Sequence, residues 1–122
     1  MTQAEALYQF FSSFDIAAYP AENVPDDAKF PWLTYELVTG AWGDVAGITV
    51  NLWYYSESNV EINAKAKELS SAIGLGGEVV RCDGGAIWIK RGSPWCQSVR
   101  DDTDNKIKRR YINITLEYLT VD

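Results

Sequence analysis

From Ile107 to Val121 the chain alternates with a period of two. Ile112, Ile114, Leu116 and Tyr118 fall on one side, and Tyr111, Asn113, Thr115 and Glu117 on the other. Successive side chains of a strand point to opposite faces. The pattern therefore specifies the longest strand of the chain, with one face for a core and one that tolerates water. Such a strand belongs in an antiparallel or mixed sheet covered on one side.

Shorter strands are expected at Trp32–Val38, Ala46–Tyr55, Val79–Cys82, Ala86–Arg91 and Pro94–Arg100. The first two, joined through a loop with Gly40 and Gly43, suggest a long hairpin. Asp83-Gly84-Gly85 is a tight-turn signal between the next pair. A helix is expected over Thr2–Phe14: Thr2 and Glu5 form a capping box, and Leu7, Phe10, Phe11 and Phe14 make an apolar stripe. A second helix is expected from Ser58, with Ser58 and Glu61 as its capping box. Val60, Ala64, Ala66 or Lys67, Leu69 and Ile73 are its expected buried side, and Gly74, Gly76 and Gly77 its stop. The 19–31 segment holds three prolines and four charges and reads as a loop. It is long for a connection inside a compact domain, which suggests a role in contact. The expected fold class is α+β, one domain over residues 1–122: an antiparallel or mixed sheet of about six strands with two helices on one face, in the order α-β-β-α-β-β-β-β.

Composition narrows function mainly by exclusion. The net charge is −6, which argues against a general nucleic-acid binder and against docking on anionic lipid. The charge is uneven: residues 1–61 carry nine acids and one base, and residues 62–122 carry eight acids and ten bases. Two such halves suit head-to-tail attraction between copies, and suit a scatter over a solvated surface equally well. The chain has no histidine, so neither a Ser-His-Asp nor a Cys-His arrangement can be built. Cys82 and Cys96 lack zinc-ligand spacing; reduced, mostly buried thiols are expected, with a disulfide as the alternative if their two strands pair in register. The glycines of 74–77 follow a helix, whereas phosphate loops precede one. Asp101 to Asn105 superficially resembles a calcium loop, but Lys106 and Ile112 stand where that loop needs glycine and glutamate. It reads as a solvated turn. No catalytic, cofactor-binding or metal-ligating residue is assigned, and no enzyme activity or cofactor is expected. The N-terminal residues lack the pattern of a signal peptide, and no apolar run approaches the ~20 residues that span a bilayer. A cytoplasmic protein is expected.

The candidate functional residues are instead those of a protein interface. Trp53 and Tyr55 lie opposite the apolar face of their strand, and Trp42 sits at a glycine-flanked loop tip. An exposed tryptophan there calls for a cover, its own sheet or another protein. Tyr19 and Val24 belong to the proline-rich loop. In the basic cluster, Lys108 and Arg110 face one way and Arg109 the other, as a solvated strand start, a partner for an acidic patch on another copy, or a nucleic-acid contact.

Several segments together resemble a known family. They are Tyr19-Pro20-Ala21-Glu22-Asn23-Val24-Pro25, Phe30-Pro31-Trp32-Leu33-Thr34-Tyr35, Val50-Asn51-Leu52-Trp53-Tyr54, Ile87-Trp88-Ile89 before Gly92-Ser93-Pro94-Trp95, and Asp104-Asn105 through Tyr111-Ile112-Asn113. The chain resembles, from about residue 2 to 121, the tail terminator (tail completion, tail-to-head joining) proteins of long-tailed bacteriophages and prophages. The resemblance implies a structural α/β subunit that forms a hexameric ring, caps the tail tube and then meets the head. The implied partners are other copies of the chain, the major tail-tube protein and the head-tail connector protein, without membrane or sequence-specific nucleic acid. The implied location is the host cytoplasm during assembly, then the virion tail. The resemblance carries over regions only: residues 19–31, 39–47 and 101–111. Alternatives are a head-side connector or stopper protein, and a small non-phage protein-binding module.

Overall fold

The structure, a computed structural model, describes residues 1–101 and 103–122. Helix α1 spans Gln3–Phe11 and runs into a 3-10 turn at Ser12–Phe14. Strands β1 (Ala17–Pro20), β2 (Trp32–Tyr35) and β3 (Val45–Tyr55) follow. Helix α2 (Val60–Ile73) precedes β4 (Glu78–Cys82), β5 (Gly85–Arg100) and β6 (Ile107–Thr120). The six strands form one mixed sheet in the order β1-β2-β3-β6-β5-β4. β1 runs parallel to β2, and every other pairing is antiparallel.

The α+β class and the two-helix, six-strand count stand, but the expected element order is corrected to α-β-β-β-α-β-β-β. Two local events account for the change. Asp15 takes a left-handed conformation (φ 61°), turning the chain out of the 3-10 turn so that Ala17–Pro20, which overlaps the start of the expected 19–31 loop, lies beside β2. The expected strands Ala86–Arg91 and Pro94–Arg100 are one long strand, interrupted only by a bulge between Arg91 and Cys96. At that bulge Gly92 lies against Asn113, where an added Cβ would come within 2.8 Å of its backbone, and the Asn113 amide donates to the Pro94 carbonyl at 2.7 Å.

Both helices cover one face of the sheet, called inner here. α1 opens on the expected capping box: Thr2 Oγ1 accepts from Glu5 N–H at 3.1 Å, and Glu5 Oε1 accepts from Thr2 N–H at 2.9 Å. It buries Leu7 and Phe11, and the Phe11 ring stacks on Tyr35 of β2 at 4.6 Å. The expected box of α2 is absent. Ser58 Oγ accepts from Val60 N–H at 3.0 Å, and the N-cap Asn59 makes no side-chain cap. The buried side is also re-phased to Ile62, Ala66, Leu69 and Ile73; Val60 is 73% exposed. Those four positions are one helical stripe. Lys65 Nζ, donating to the Phe14 carbonyl at 2.6 Å, ties α2 to the end of the first helical segment. Ile48, Val50, Leu52, Ile112, Ile114 and Leu116 fill the inner face beneath, each at most 1% exposed. Fully burying a side chain of that size contributes about 1.5–3 kcal/mol.

Candidate protein interface

Among the described residues no helix lies over the opposite, outer face. Register sets its rows. Trp32 of β2 lies across from Trp53 of β3, Trp53 across from Arg109 of β6, and Arg109 across from Val99 of β5. The next row runs Thr34, Asn51, Tyr111 and Gln97. Directly opposed side chains on one face touch, and here they stack. The Trp32 and Trp53 rings lie 5.9 Å apart at 21°. The Arg109 guanidinium sits 4.5 Å from the centre of the Trp53 ring, while its Nε donates to Asn51 Oδ1 at 2.9 Å. Phe30, in the loop before β2, meets Trp32 at 4.5 Å and Tyr55 at 5.6 Å.

This row is partly self-sheltering. Trp32, Trp53 and Arg109 are half-buried, while Phe30 and Tyr55 remain exposed. The Trp53 Nε1–H is buried without an acceptor among the described residues. An orphaned donor costs about 1–3 kcal/mol, which the stacking and cation–π contacts of the same ring must offset.

Sequence reading placed Trp53 and Tyr55 opposite the apolar face of their strand and Arg109 opposite Lys108 and Arg110, and the structure brings Trp53 and Arg109 together on one face, with Tyr55 beside them. It missed Phe30 and Trp32. Their aromatic character was visible, but which strand pairs with which, and in what register, was not. The other candidates lie elsewhere. Trp42 is 62% exposed in the loop before β3, so it does not fold back onto its own sheet. The neighbouring Gly43 N–H donates to the Tyr118 carbonyl at 2.7 Å, which anchors that loop to β6. Tyr19 is half-buried on β1, and Val24 is half-buried in the following loop.

Lys108 and Arg110 share the helix-covered side, as the alternation required. Arg110 is only 7% exposed. Its guanidinium donates to Asn63 Oδ1 at 2.9 and 3.1 Å, to Asn59 Oδ1 at 3.1 Å and to the Arg109 carbonyl at 3.1 Å. That pins the first turn of α2 to β6 and commits Arg110 within the chain rather than at its surface. Lys108 donates to the Asn105 carbonyl and lines a cleft of about 410 Å³ with Asp101, Asp104 and Arg110.

The 101–105 turn is internally bonded. Asp101 Oδ1 accepts from the Thr103 hydroxyl at 2.6 Å and from Thr103 N–H at 2.8 Å, and these bonds hold its carboxyl below its ordinary pKa. Asp102, part of the same acidic cluster, lies outside the described residues. Among the described residues no three of Cys, Asp and Glu gather in a metal-like group. Both cysteines are free. Cys82 pairs across from Gly85, and Cys96 lies beyond the reach of β4, so their strands never bring them into register. Burial pushes the Cys96 thiol above its ordinary pKa, which makes it a poor nucleophile. Among the described residues no helix is long and apolar enough to cross a membrane. No family model, curated protein or solved structure matches the chain.

Proposed function

We propose that this chain is a structural, non-catalytic subunit of a bacteriophage or prophage tail, which caps the tail tube as a homo-hexameric ring and joins tail to head. The observation that carries this reading is the outer sheet face. One side of the sheet is sealed by the chain's own helices, while the other presents a row of rigid aromatics ending in exposed Phe30 and Tyr55. Aromatics and arginine are the side chains enriched in protein–protein contacts. The exposed Trp42 supplies a separate tip for a second partner. A subunit in a closed ring contacts a neighbour on each side and the tube and head along the axis, so it needs several distinct surfaces of this kind. The sequence resemblance to tail terminators names the assembly.

The test uses tail tubes assembled without this chain. Added purified chain is expected to sediment with the tubes, to form a ring at one end in electron micrographs, and to make them competent for joining heads. Sedimentation with empty heads and not with tubes reassigns the chain to the head-side connector. Binding to neither sinks the phage-tail reading.

A further inference from the structure

The exposed Trp42 stands on a turn that is fixed by its own bonds. Ala41-Trp42-Gly43-Asp44 is closed by the Asp44 N–H donating to the Ala41 carbonyl at 3.0 Å. Gly43, the third residue, takes φ 88°, the left-handed value that a type II turn needs there. Asp44 Oδ2 accepts from the Ala41 N–H at 2.7 Å across the same turn. The end of β6 then holds the turn in both directions. Gly43 N–H donates to the Tyr118 carbonyl at 2.7 Å, and Tyr118 N–H donates to the Asp44 carbonyl at 2.9 Å.

The residue beneath the turn, Gly40, is clamped from a third element. Gln3 is the one polar residue on the buried side of α1 and is 7% exposed. Its amide meets Gly40 as a neighbouring strand would: Nε2 donates to the Gly40 carbonyl at 2.8 Å, and Oε1 accepts from the Gly40 N–H at 2.8 Å. Nε2 also donates to the Asp122 carbonyl at 3.3 Å. Gly40 rests on the Tyr118 ring so closely that an added Cβ would fall 2.7 Å from it, and the Tyr118 hydroxyl donates to the Val38 carbonyl. An exposed indole on a slack loop would lose its freedom on binding, which weakens the complex. Here that freedom is already gone in the folded chain.

We propose that Gln3 is a positioning residue for docking: its clamp on Gly40 holds the Trp42 turn in one preformed geometry, which an apolar socket on the joining partner takes without ordering the loop. The proposal rests on the reading of Trp42 as a docking tip and names the residue that sets its aim.

Hydrogen exchange and tail joining, measured on the same variants, test it. Gln3→Met reaches the seat from α1, and Gly40→Ala reaches it from the loop, so the second carries the test if the first does not fold. In both, the Ala41 and Gly43 amides, neither of which touches Gln3, are expected to exchange about tenfold faster or more, while the amides from Ile112 to Leu116 keep native rates. Tail joining is expected to weaken by about two- to tenfold, the cost of ordering one loop side chain on binding. Thr2→Ala is the control, since it removes the α1 cap and lowers stability without touching Gly40. It is expected to keep slow exchange in the turn and native joining. Native exchange rates in both seat variants overturn the clamp, as does a joining defect in Thr2→Ala equal to theirs. Trp42→Ala that joins like the native chain removes the docking reading beneath the proposal, whereas a defect in Trp42→Ala with none in the seat variants removes the positioning role alone.

Discussion

The backbone of β3 and β6 builds two faces from the same strands, and they are stabilised in different ways. On the inner face, Ile48, Val50, Ile114 and Leu116 are at most 1% exposed beneath two helices. On the outer face, Thr49, Asn51, Asn113 and Thr115 interleave with Trp53, Arg109 and Tyr111, all half-buried. The inner face is aliphatic and covered from above. The outer face is covered only by its own neighbours, ring on ring and guanidinium on ring. Burial under helices contributes in proportion to area removed from water. Lateral stacking contributes less per side chain, but leaves broad, rotamer-poor surfaces that a partner can cover at low entropic cost.

Adjacent positions on β6 give the widest contrast. Leu116→Ala, on the inner face, is expected to lower the unfolding free energy by about 2–5 kcal/mol, and Thr115→Ala, beside it on the outer face, by less than about 0.5 kcal/mol. Equal losses in urea titrations would break the distinction between the faces.

The inner face should also show itself in alkali. Burial raises the Tyr118 phenol from its usual 10.0 to about 12, and burial raises Tyr35 and Tyr54 as well. The folded state then holds protons that the unfolded chain releases. The stabilisation is complete below pH 10 and is lost as pH rises toward 12, by an amount on the order of 2 kcal/mol for Tyr118. Melting temperatures measured over this range should fall, and Tyr118→Phe should flatten the fall. A flat profile in the native chain would mean these hydroxyls reach water.

Trp53→Ala sharpens the comparison from the other side. It removes one stacked pair and one cation–π contact, but also an orphaned donor, so a loss of about 1–2 kcal/mol is expected. A loss matching that of Leu116→Ala would make the outer row a second core rather than a docking surface. Trp42→Ala should be smallest, within about 0.5 kcal/mol of native by thermal melting, while blocking tail joining. A drop of several kcal/mol there would rule Trp42 out as a docking tip.

What could be read from the sequence followed from how local each signal was. β6 and α1 announce themselves through period and cap, because alternation and a capping box are written within a few residues. β1 was hidden, since four residues ending in Pro20 carry no period, and their strand character comes only from lying beside β2. α2 was found but rotated. Asn59 and Asn63 are spent on Arg110, a partner 47 to 51 residues away, so the helix starts without the expected Ser58 box. The outer row shows the same limit. Trp53 and Tyr55 were legible as lying off the apolar face, and Arg109 as opposite Lys108 and Arg110, but the Trp32–Trp53 stack depends on register between strands joined by a long loop. Arg110 looked like a surface cation because neither its burial nor its amide partners leave a local mark.

The position of β6 has a further consequence, for the order in which the fold can close. β6 follows both β3 and β5 in the chain yet lies between them. During synthesis the middle of the sheet is therefore missing after both of its flanks have been made. Until Ile107–Thr120 emerges, β3 and β5 each wait with an unpaired long edge, and α2, which packs on β3, β5 and β6, lacks one of its three supports. Pairings such as Val45 with Glu117 close long loops, the kind that slow folding and leave half-made chains prone to associate wrongly. The nascent chain is thus most exposed just before its last strand arrives, and it should lean most heavily on chaperones at that moment.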